Sequence, residues 1–404
     1  MLGIMNTPNF FKLNKPKTKR ESLKIELPFE AEFLNAYNFY SEQNYFYFDQ
    51  LKDSDFKEEL WFLIKELRKT NAQKTPFVTP SNINFTFKRI QKFNPILSKI
   101  DLFKTKRIKE KNAKERYIAN NLLNEVKDES EAITLANFNA ITNIKKEHIK
   151  KPISFELLNE MYKDIALNKD YRLRRENEHS SIKDNLGETI YHTAPDSSFI
   201  QNELSKFIDF ANKNTTFHPI IKAIIMYFWI AYTRPYTKAN NELARNVFYF
   251  SVFKDNYDIF PYLPLWSLIR DNRDQYLISF VRTTQDSADL TYFIDFFLDQ
   301  ISMSLNTFIH DLKKENKKTE TAREVQSRMG LNIRQFGLLQ FLYLNPDKRT
   351  SIDAFQKQNK VSRRTASEDL NLLVRRKFLR IKRIKNRFFY YPIFENIEKT
   401  LKAL

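Results

Sequence analysis

Residues 234–245 read Arg-Pro-Tyr-Thr-Lys-Ala-Asn-Asn-Glu-Leu-Ala-Arg, and the segments on either side make this stretch decide the fold. Before it, the run from Ile220 to Tyr232 is apolar apart from Lys222. It is too short for the roughly 20 residues that span a bilayer, so no membrane span is expected and a buried helix from His218 to Tyr232 is. After it, a second apolar helix is expected from about Asn241 to Lys254. Pro235 and Tyr236 are packing residues for a loop between two buried helices, and Asn240 is suited to cap the second.

Helical periodicity extends in both directions. Apolar residues recur three and four apart from Glu30 to Leu51 and from Asp55 to Lys69, the pattern of one buried helix face. A proline-marked loop is expected from Lys74 to Asn82, then helices near Ile90, at Tyr117 to Lys127 and at Leu135 to Ile144, and, capped by Ser154, a helix through Leu167. Between Tyr171 and Pro195 the alternating segment Glu188 to Thr193 reads as a short hairpin. Helices are expected again from Phe199 to Asn212 and from Leu290 to Leu312. The resulting division is a basic arm at 1–30 with a docked strand as the alternative, a helical region at 31–150, a core at 151–312, a charged connector at 313–330 and a last domain at 331–404.

Composition narrows the function classes. The 404 residues carry 42% hydrophobic residues with 37 Phe and 19 Tyr, enough for real cores. Zero cysteines exclude disulfides, thiolate zinc sites and cysteine nucleophiles, and no metal site is expected. With no export pattern read at the amino terminus, the cytoplasm is the expected compartment. Glycine occurs only at positions 3, 187, 330 and 337, so no Rossmann or P-loop fingerprint can be written. The formal charge is +18, and between Lys360 and Arg387 eleven basic residues stand against two acids. Half of the excess lies in one small region, which points to a polyanionic partner.

The loop and its flanking helices, from 217 to about 300, resemble the core of the Fic family of protein adenylyltransferases. That family's loop runs His-Pro-Phe-x-Asp/Glu-Gly-Asn-Gly-Arg-x-x-Arg. Here Pro235, Asn240 and Arg245 match and Tyr236 nearly so, but Arg234 stands for the His, Lys238 for the acid, Ala239 and Asn241 for the glycines, and Glu242 for the first Arg. The resemblance implies transfer of a nucleoside monophosphate to a protein hydroxyl, with the His as base, the acid as magnesium ligand, and the glycines and arginines holding phosphate. Arginine stays protonated at physiological pH, so Arg234 cannot be a general base. Lys238 offers donors and no acceptor, so it cannot hold Mg²⁺. Ala239 and Asn241 add a Cβ where phosphate approaches, and Glu242 repels it while stabilising its own helix. Asn240 and Arg245 are left as the residues to touch a nucleotide, if one binds.

The resemblance also marks a flap for target docking at Glu188, Ile190, Tyr191 and His192, an aromatic-Arg pair at Tyr171 and Arg172, and an inhibitory helix within 123–135. There Ile133 occupies the position of the inhibitory Glu. Phe260-Pro-Tyr-Leu263 and Asp289-Leu-Thr-Tyr-Phe293 are similar to long members of the family that carry a winged helix. His218 stands about 20 Å along its helix from the loop, too far to serve as a substitute base; His192, on the flap, is expected to be solvated.

Beyond residue 331, Arg334–Leu344, Ser351–Gln358 and Ser362–Arg376 read as three helices, and Leu379–Tyr391 alternates apolar with basic residues. Val361 to Leu370 resembles the turn and recognition helix of winged-helix factors. Ser362 is placed to cap it, with Arg363, Arg364, Thr365 and Ser367 in its first two turns and Lys382, Arg383, Lys385 and Arg387 on the wing. The expected fold is therefore mainly α: a Fic-like helical core with a short β-hairpin flap, plus a carboxyl-terminal winged helix-turn-helix. The expected function is a catalytically inactive regulator that needs no cofactor and binds DNA through 331–394. One alternative is a divergent nucleotidyltransferase using ATP and Mg²⁺ with His192 or Glu242 as base. The other is a protein-binding module that takes an extended target segment on the flap.

Overall fold

The apolar run from Ile220 to Tyr232 becomes the most deeply buried helix of the larger unit in the computed structural model, with every residue from Ala223 to Thr233 buried. The structure describes residues 9–10, 12–13, 31–39, 45–70, 72–104, 131–165, 172–184, 186–213, 216–345, 347–384 and 387–402. It is mainly helical, with small antiparallel hairpins. Two units divide the chain, Met1–Phe308 and Ile309–Leu404.

In chain order the first unit runs β1 (Asn9–Phe10), α1 (Ala31–Asn38), α2 (Lys57–Thr70), β2 (Gln73–Val78), β3 (Asn84–Phe87), α3 (Phe93–Lys104), α4 (Glu131–Lys146) and α5 (Phe155–Ile165). There follow β4 (Ser181–Lys183), β5 (Thr189–Thr193), α6 (Ser197–Asn212), α7 (Pro219–Thr233), α8 (Asn240–Lys254), α9 (Leu265–Asp271) and α10 (Arg273–Gln285). Helix α11 (Thr291–Arg328) passes the boundary. The second unit adds α12 (Ile333–Leu344), α13 (Ile352–Asn359), α14 (Arg363–Arg375), β6 (Leu379–Ile384), β7 (Arg387–Pro392) and α15 (Phe394–Lys402).

Helix α7 is apolar on all sides because neighbours cover all sides. Helix α8 packs along it, Phe228 meets Phe280 and Phe293, and Trp229 stacks on Phe77 at 4.4 Å between ring centres. Phe77 exposes a correction. The segment marked by Pro76 is not a loop but strand β2, paired antiparallel with β3. Lys74 faces Thr86 and Val78 faces Asn84, so three residues on one strand bulge against one on the other, and Pro76 sits where its missing N–H costs no ladder bond. The Thr75 hydroxyl fills in, donating to the Phe85 carbonyl at 2.9 Å and accepting from Phe77 N at 3.3 Å. The result is burial of Phe77 against α6 and α7, of Phe85 against α7, and of Phe87 against Phe93 of α3.

A second correction concerns Glu30 to Leu51. Helix α1 covers Ala31–Asn38 of that stretch, and Tyr45–Tyr47 is non-helical, with Tyr47 extended, before a 3-10 turn at Phe48–Gln50. Packing overrides the helical period: Tyr47 is buried against Trp61 and Tyr292, and the Tyr45 hydroxyl donates to buried Asp289 at 2.5 Å. The residues expected as helix at 117–127 and most of the expected basic arm lie outside the described residues, but Asn9–Phe10 forms a strand, the docked alternative. Ser154 accepts from Leu157 N at 3.2 Å at the start of α5, as a cap does.

In the second unit Leu338, Leu342, Phe355, Ala366, Leu370, Leu373, Leu379 and Tyr390 form the core. Asn332 and Gln335 make a reciprocal capping box at α12, and Ser362 Oγ accepts from Thr365 N at 3.0 Å to cap α14. The buried Asp369 carboxylate fastens α14 to the start of α12, accepting from Asn332, Arg334 and Gln335. β6 and β7 pair in continuous register from Leu379 opposite Pro392 to Ile384 opposite Arg387.

Candidate functional site

The loop between α7 and α8 turns on two non-glycine residues in the left-handed region, Arg234 at φ 46° and Ala239 at φ 51°. Ala239 therefore does adopt the positive φ that its side chain disfavours, at a cost of about 1–2 kcal/mol. The shape is imposed from outside the loop. Residues 172–174 lie alongside it like a strand: Thr237 N donates to the Arg172 carbonyl and Arg174 N to the Pro235 carbonyl, each at 2.9 Å. The buried Arg174 guanidinium then gathers four backbone carbonyls, those of Thr233, Arg234, Glu178 and Pro195, at 2.7–2.9 Å. Ala239→Gly is accordingly expected to raise stability by about 1 kcal/mol, read as a higher urea midpoint at unchanged slope.

Inside the loop the Asn240 side chain is spent on the chain itself. It accepts from Tyr236 N at 2.9 Å and donates to the Tyr236 carbonyl at 2.7 Å, while Ala239 occupies the cap position of α8. The Tyr236 ring stacks on Tyr162 at 3.7 Å, and its hydroxyl bonds to Asn159. Arg234 points its guanidinium at Ser180 Oγ (2.8 Å, from Nε) and Asn241 Oδ1 (3.1 Å). Burial lowers its pKa while Tyr276, Glu242 and Tyr227 oppose that shift, and it remains a cation at neutral pH. Arg245 lies with its guanidinium 5.6 Å from the Trp266 ring centre, Glu242 is in the first turn of α8, and Lys238 is exposed.

This donor set does not fit a nucleotide carried by Mg²⁺. Lys238, at the position where the resemblance implies the metal-holding acid, offers donors and no acceptor. A Cβ at Ala239 and a carboxylate at Glu242 border the place where phosphate oxygens need bare N–H groups.

The expected hairpin is present as β4 and β5, with Ile190 and His192 on its buried side, Tyr191 half-buried, and Glu188 exposed just ahead of β5. His192 corrects the expectation of a solvated side chain. It is buried, its Nε2 lies 2.7 Å from the Tyr232 carbonyl, and its ring packs on Tyr232 and Phe280. A carbonyl only accepts, so Nε2 carries the hydrogen and is not the nitrogen that takes up a proton. Burial, with Arg234 and Arg174 adding to it, pushes the imidazole down to about 4, against the opposing bond to Tyr232. Arg172 forks onto Glu178, whereas Tyr171 lies outside the described residues. Ile133 falls within α4, which packs on α5 and α8; its side chain is outside the described residues.

No protein-family model matches the sequence, and no curated protein is similar to it at a significant level. Among solved structures, a Fic family protein from Desulfovibrio desulfuricans G20 superposes with a TM-score of 0.51 at 13% identity, covering 79% of this chain and 98% of that one. The fold is Fic-like. Fic-1 from C. elegans matches with a TM-score of 0.41 at 17% identity, over 55% of this chain and 72% of that one. IbpAFic2, in a structure covalently tethered to Cdc42, matches at 0.41 and 16%, over 68% and 88%. Within this Fic-like fold, Arg174 is the residue that sequence reading passed over, because one Arg in a polar stretch carries no period or motif.

The basic residues of the second unit are placed as follows. Arg363 and Arg364 are exposed in the first turn of α14, paired with Asp353 and Glu368. Thr365 and Ser367 are half-buried. Lys382, Arg383 and Arg387 are exposed on β6 and β7, and Lys385 lies outside the described residues. Among the described residues no helix is long and apolar enough to cross a membrane.

Proposed function

We propose that this chain is a catalytically inactive regulator on a Fic-like fold that binds DNA through residues 331–394. The observation that carries the inactive reading is the Arg234 guanidinium, fixed by Ser180 and Asn241 at the position where the resemblance requires a base. A group that is always protonated cannot take the hydroxyl proton. The alternative bases are poorly disposed. His192 spends its Nε2–H on the Tyr232 carbonyl, and Glu242 sits in the first turn of α8 within the electrostatic reach of Arg234.

The DNA reading rests on charge and on the order of elements, three helices and then a strand pair, which is that of a winged helix. Arg380, Lys382, Arg383 and Arg387 are exposed along the strand pair, so phosphate has cations to meet. The ion pairs of Arg363 and Arg364 are exposed surface pairs, which are released at little cost when phosphate replaces the carboxylates.

The test has two arms on the full chain. Incubation with α-labelled ATP, with and without Mg²⁺, is expected to leave no label on protein, and Arg234→His is expected not to restore transfer because metal ligand, glycines and first Arg are also replaced. Label transfer lost on changing Arg234 or Asn240 would sink the inactive reading. In the other arm, retention on duplex DNA is expected to fall with salt, and Lys382→Ala with Arg387→Ala to flatten the plot of log affinity against log salt by about two. An affinity indifferent to salt, or unchanged in the double variant, would remove the DNA reading.

A further inference from the structure

The uncommitted positive charge of the second unit lies on its strand pair. On α14, Arg363 and Arg364 are matched to Asp353 and Glu368. Among the described residues no carboxylate pairs with Arg349, Arg380, Lys382 or Arg387, and all four are exposed. Register gathers them on one face. Tyr390 is buried, so its neighbours Phe389 and Tyr391 turn to the opposite side of β7, where Arg387 also points. Across the ladder, Arg380 stands opposite Tyr391 and Lys382 opposite Phe389. On the other edge of β7, Thr350 exchanges two main-chain hydrogen bonds with Tyr390, at 2.9 and 3.1 Å, which lays Arg349 beside Tyr391. The Arg349 guanidinium sits 4.3 Å from the Phe389 ring centre and donates to Tyr391 Oη at 2.7 Å.

Two half-buried rings, about 7 Å apart along one strand, are thus bordered by cations on both sides. Phosphate alone would account for the cations but not for the rings. In a duplex the faces of the bases are covered by their neighbours in the stack, and the backbone meets charge only. An unpaired base offers its flat face to a ring while its phosphate reaches the cation alongside. Arg349 adds a planar group of the same kind, and its contacts with Phe389 and Tyr391 hold that plane in place before any ligand arrives.

We infer that the outward face of β6 and β7 is a platform for unpaired nucleotides, so that the second unit prefers single-stranded DNA to duplex DNA. Bases stack on Tyr391 and on Arg349 backed by Phe389, and Arg380, Lys382 and Arg387 meet the phosphates. The inference rests on the DNA reading above and gives it a substrate class.

The experiment uses the full chain and two fluorescent probes at one salt concentration, an oligothymidine of about 15 nucleotides and a duplex of the same length. The oligothymidine is expected to bind at least about tenfold more tightly. Phe389→Leu with Tyr391→Leu keeps apolar bulk at the half-buried positions and removes the rings; it is expected to cost the single strand about tenfold and the duplex nothing. Arg349→Lys, on an exposed residue, keeps the charge, removes the plane and decides the matter even where the ring variant folds poorly. It is expected to weaken single-strand binding severalfold at an unchanged salt slope. With 5-iodouracil in place of thymine, irradiation is expected to join the strand to the tryptic peptide 388–399, which carries both rings. Equal affinity for the two probes, a parental preference retained in Arg349→Lys, or crosslinks confined to other peptides would overturn the inference and leave the DNA reading standing. Retention of neither probe would end both.

Discussion

Arg174→Met is expected to lower folding stability by about 4 kcal/mol, whereas Arg172→Met, two residues away and chemically identical, should leave the urea midpoint nearly where it is. The contrast follows from surroundings. Arg172 pairs with Glu178 in a solvent-exposed fork. Arg174 is 4% exposed and its five donors meet four main-chain carbonyls, two of them at the end of α7, where helix carbonyls have no partner of their own. Methionine fills similar volume but leaves those acceptors buried and unmet, at about 1–3 kcal/mol each before relaxation. The left-handed turns at Arg234 and Ala239 lose their outside support in the same step. Equal losses in the two variants would show that the loop keeps its own shape.

A second large effect is set by pH. The folded His192 titrates at about 4 and the ordinary value is 6.5, so between these limits the unfolded chain binds a proton that the folded chain refuses. Stability from this source is complete above pH 6.5 and is lost as pH falls toward 4, by about 2 kcal/mol at pH 5 and about 3 kcal/mol at pH 4. Carboxylates titrate in the same window, so the informative quantity is the difference between the parent and His192→Gln, whose amide retains a hydrogen for the Tyr232 carbonyl. Urea unfolding at pH 8 and pH 5 should show the parent losing about 2 kcal/mol more than the variant. Parallel pH dependence in the two chains would mean that the imidazole is hydrated in solution.

Much of this architecture is legible in the amino-acid sequence. The helix from His218 to Tyr232 announces itself by apolar residues on every face, the caps at Ser154 and Ser362 by the residue type ahead of a periodic run, and the β4–β5 hairpin by alternation from Glu188 to Thr193. What escaped was long-range in origin. Pro76 reads as a breaker, and only the bulge opposite Phe85 makes it compatible with a strand. The alternation of Thr75, Phe77, Phe85 and Phe87 was the available signal, outweighed by proline. Tyr45–Tyr47 keeps a helical period but is held out of a helix by Trp61, Tyr292 and Asp289, the last of them 244 positions from Tyr45. In the loop, substitution could be read residue by residue because the chemistry of each position is independent of context. Its retained shape could not, since the restraints come from 172–174.

The chain has three tryptophans, Trp61, Trp229 and Trp266, all buried and all before residue 308. The second unit is therefore dark in indole fluorescence, and a melt followed by tryptophan emission reports the Fic-like body alone. This asymmetry gives the intact protein a built-in one-way reporter. If duplex DNA added to the chain shifts the indole spectrum, the news has crossed from one unit to the other; if the spectrum stays still while DNA is retained, the two work independently.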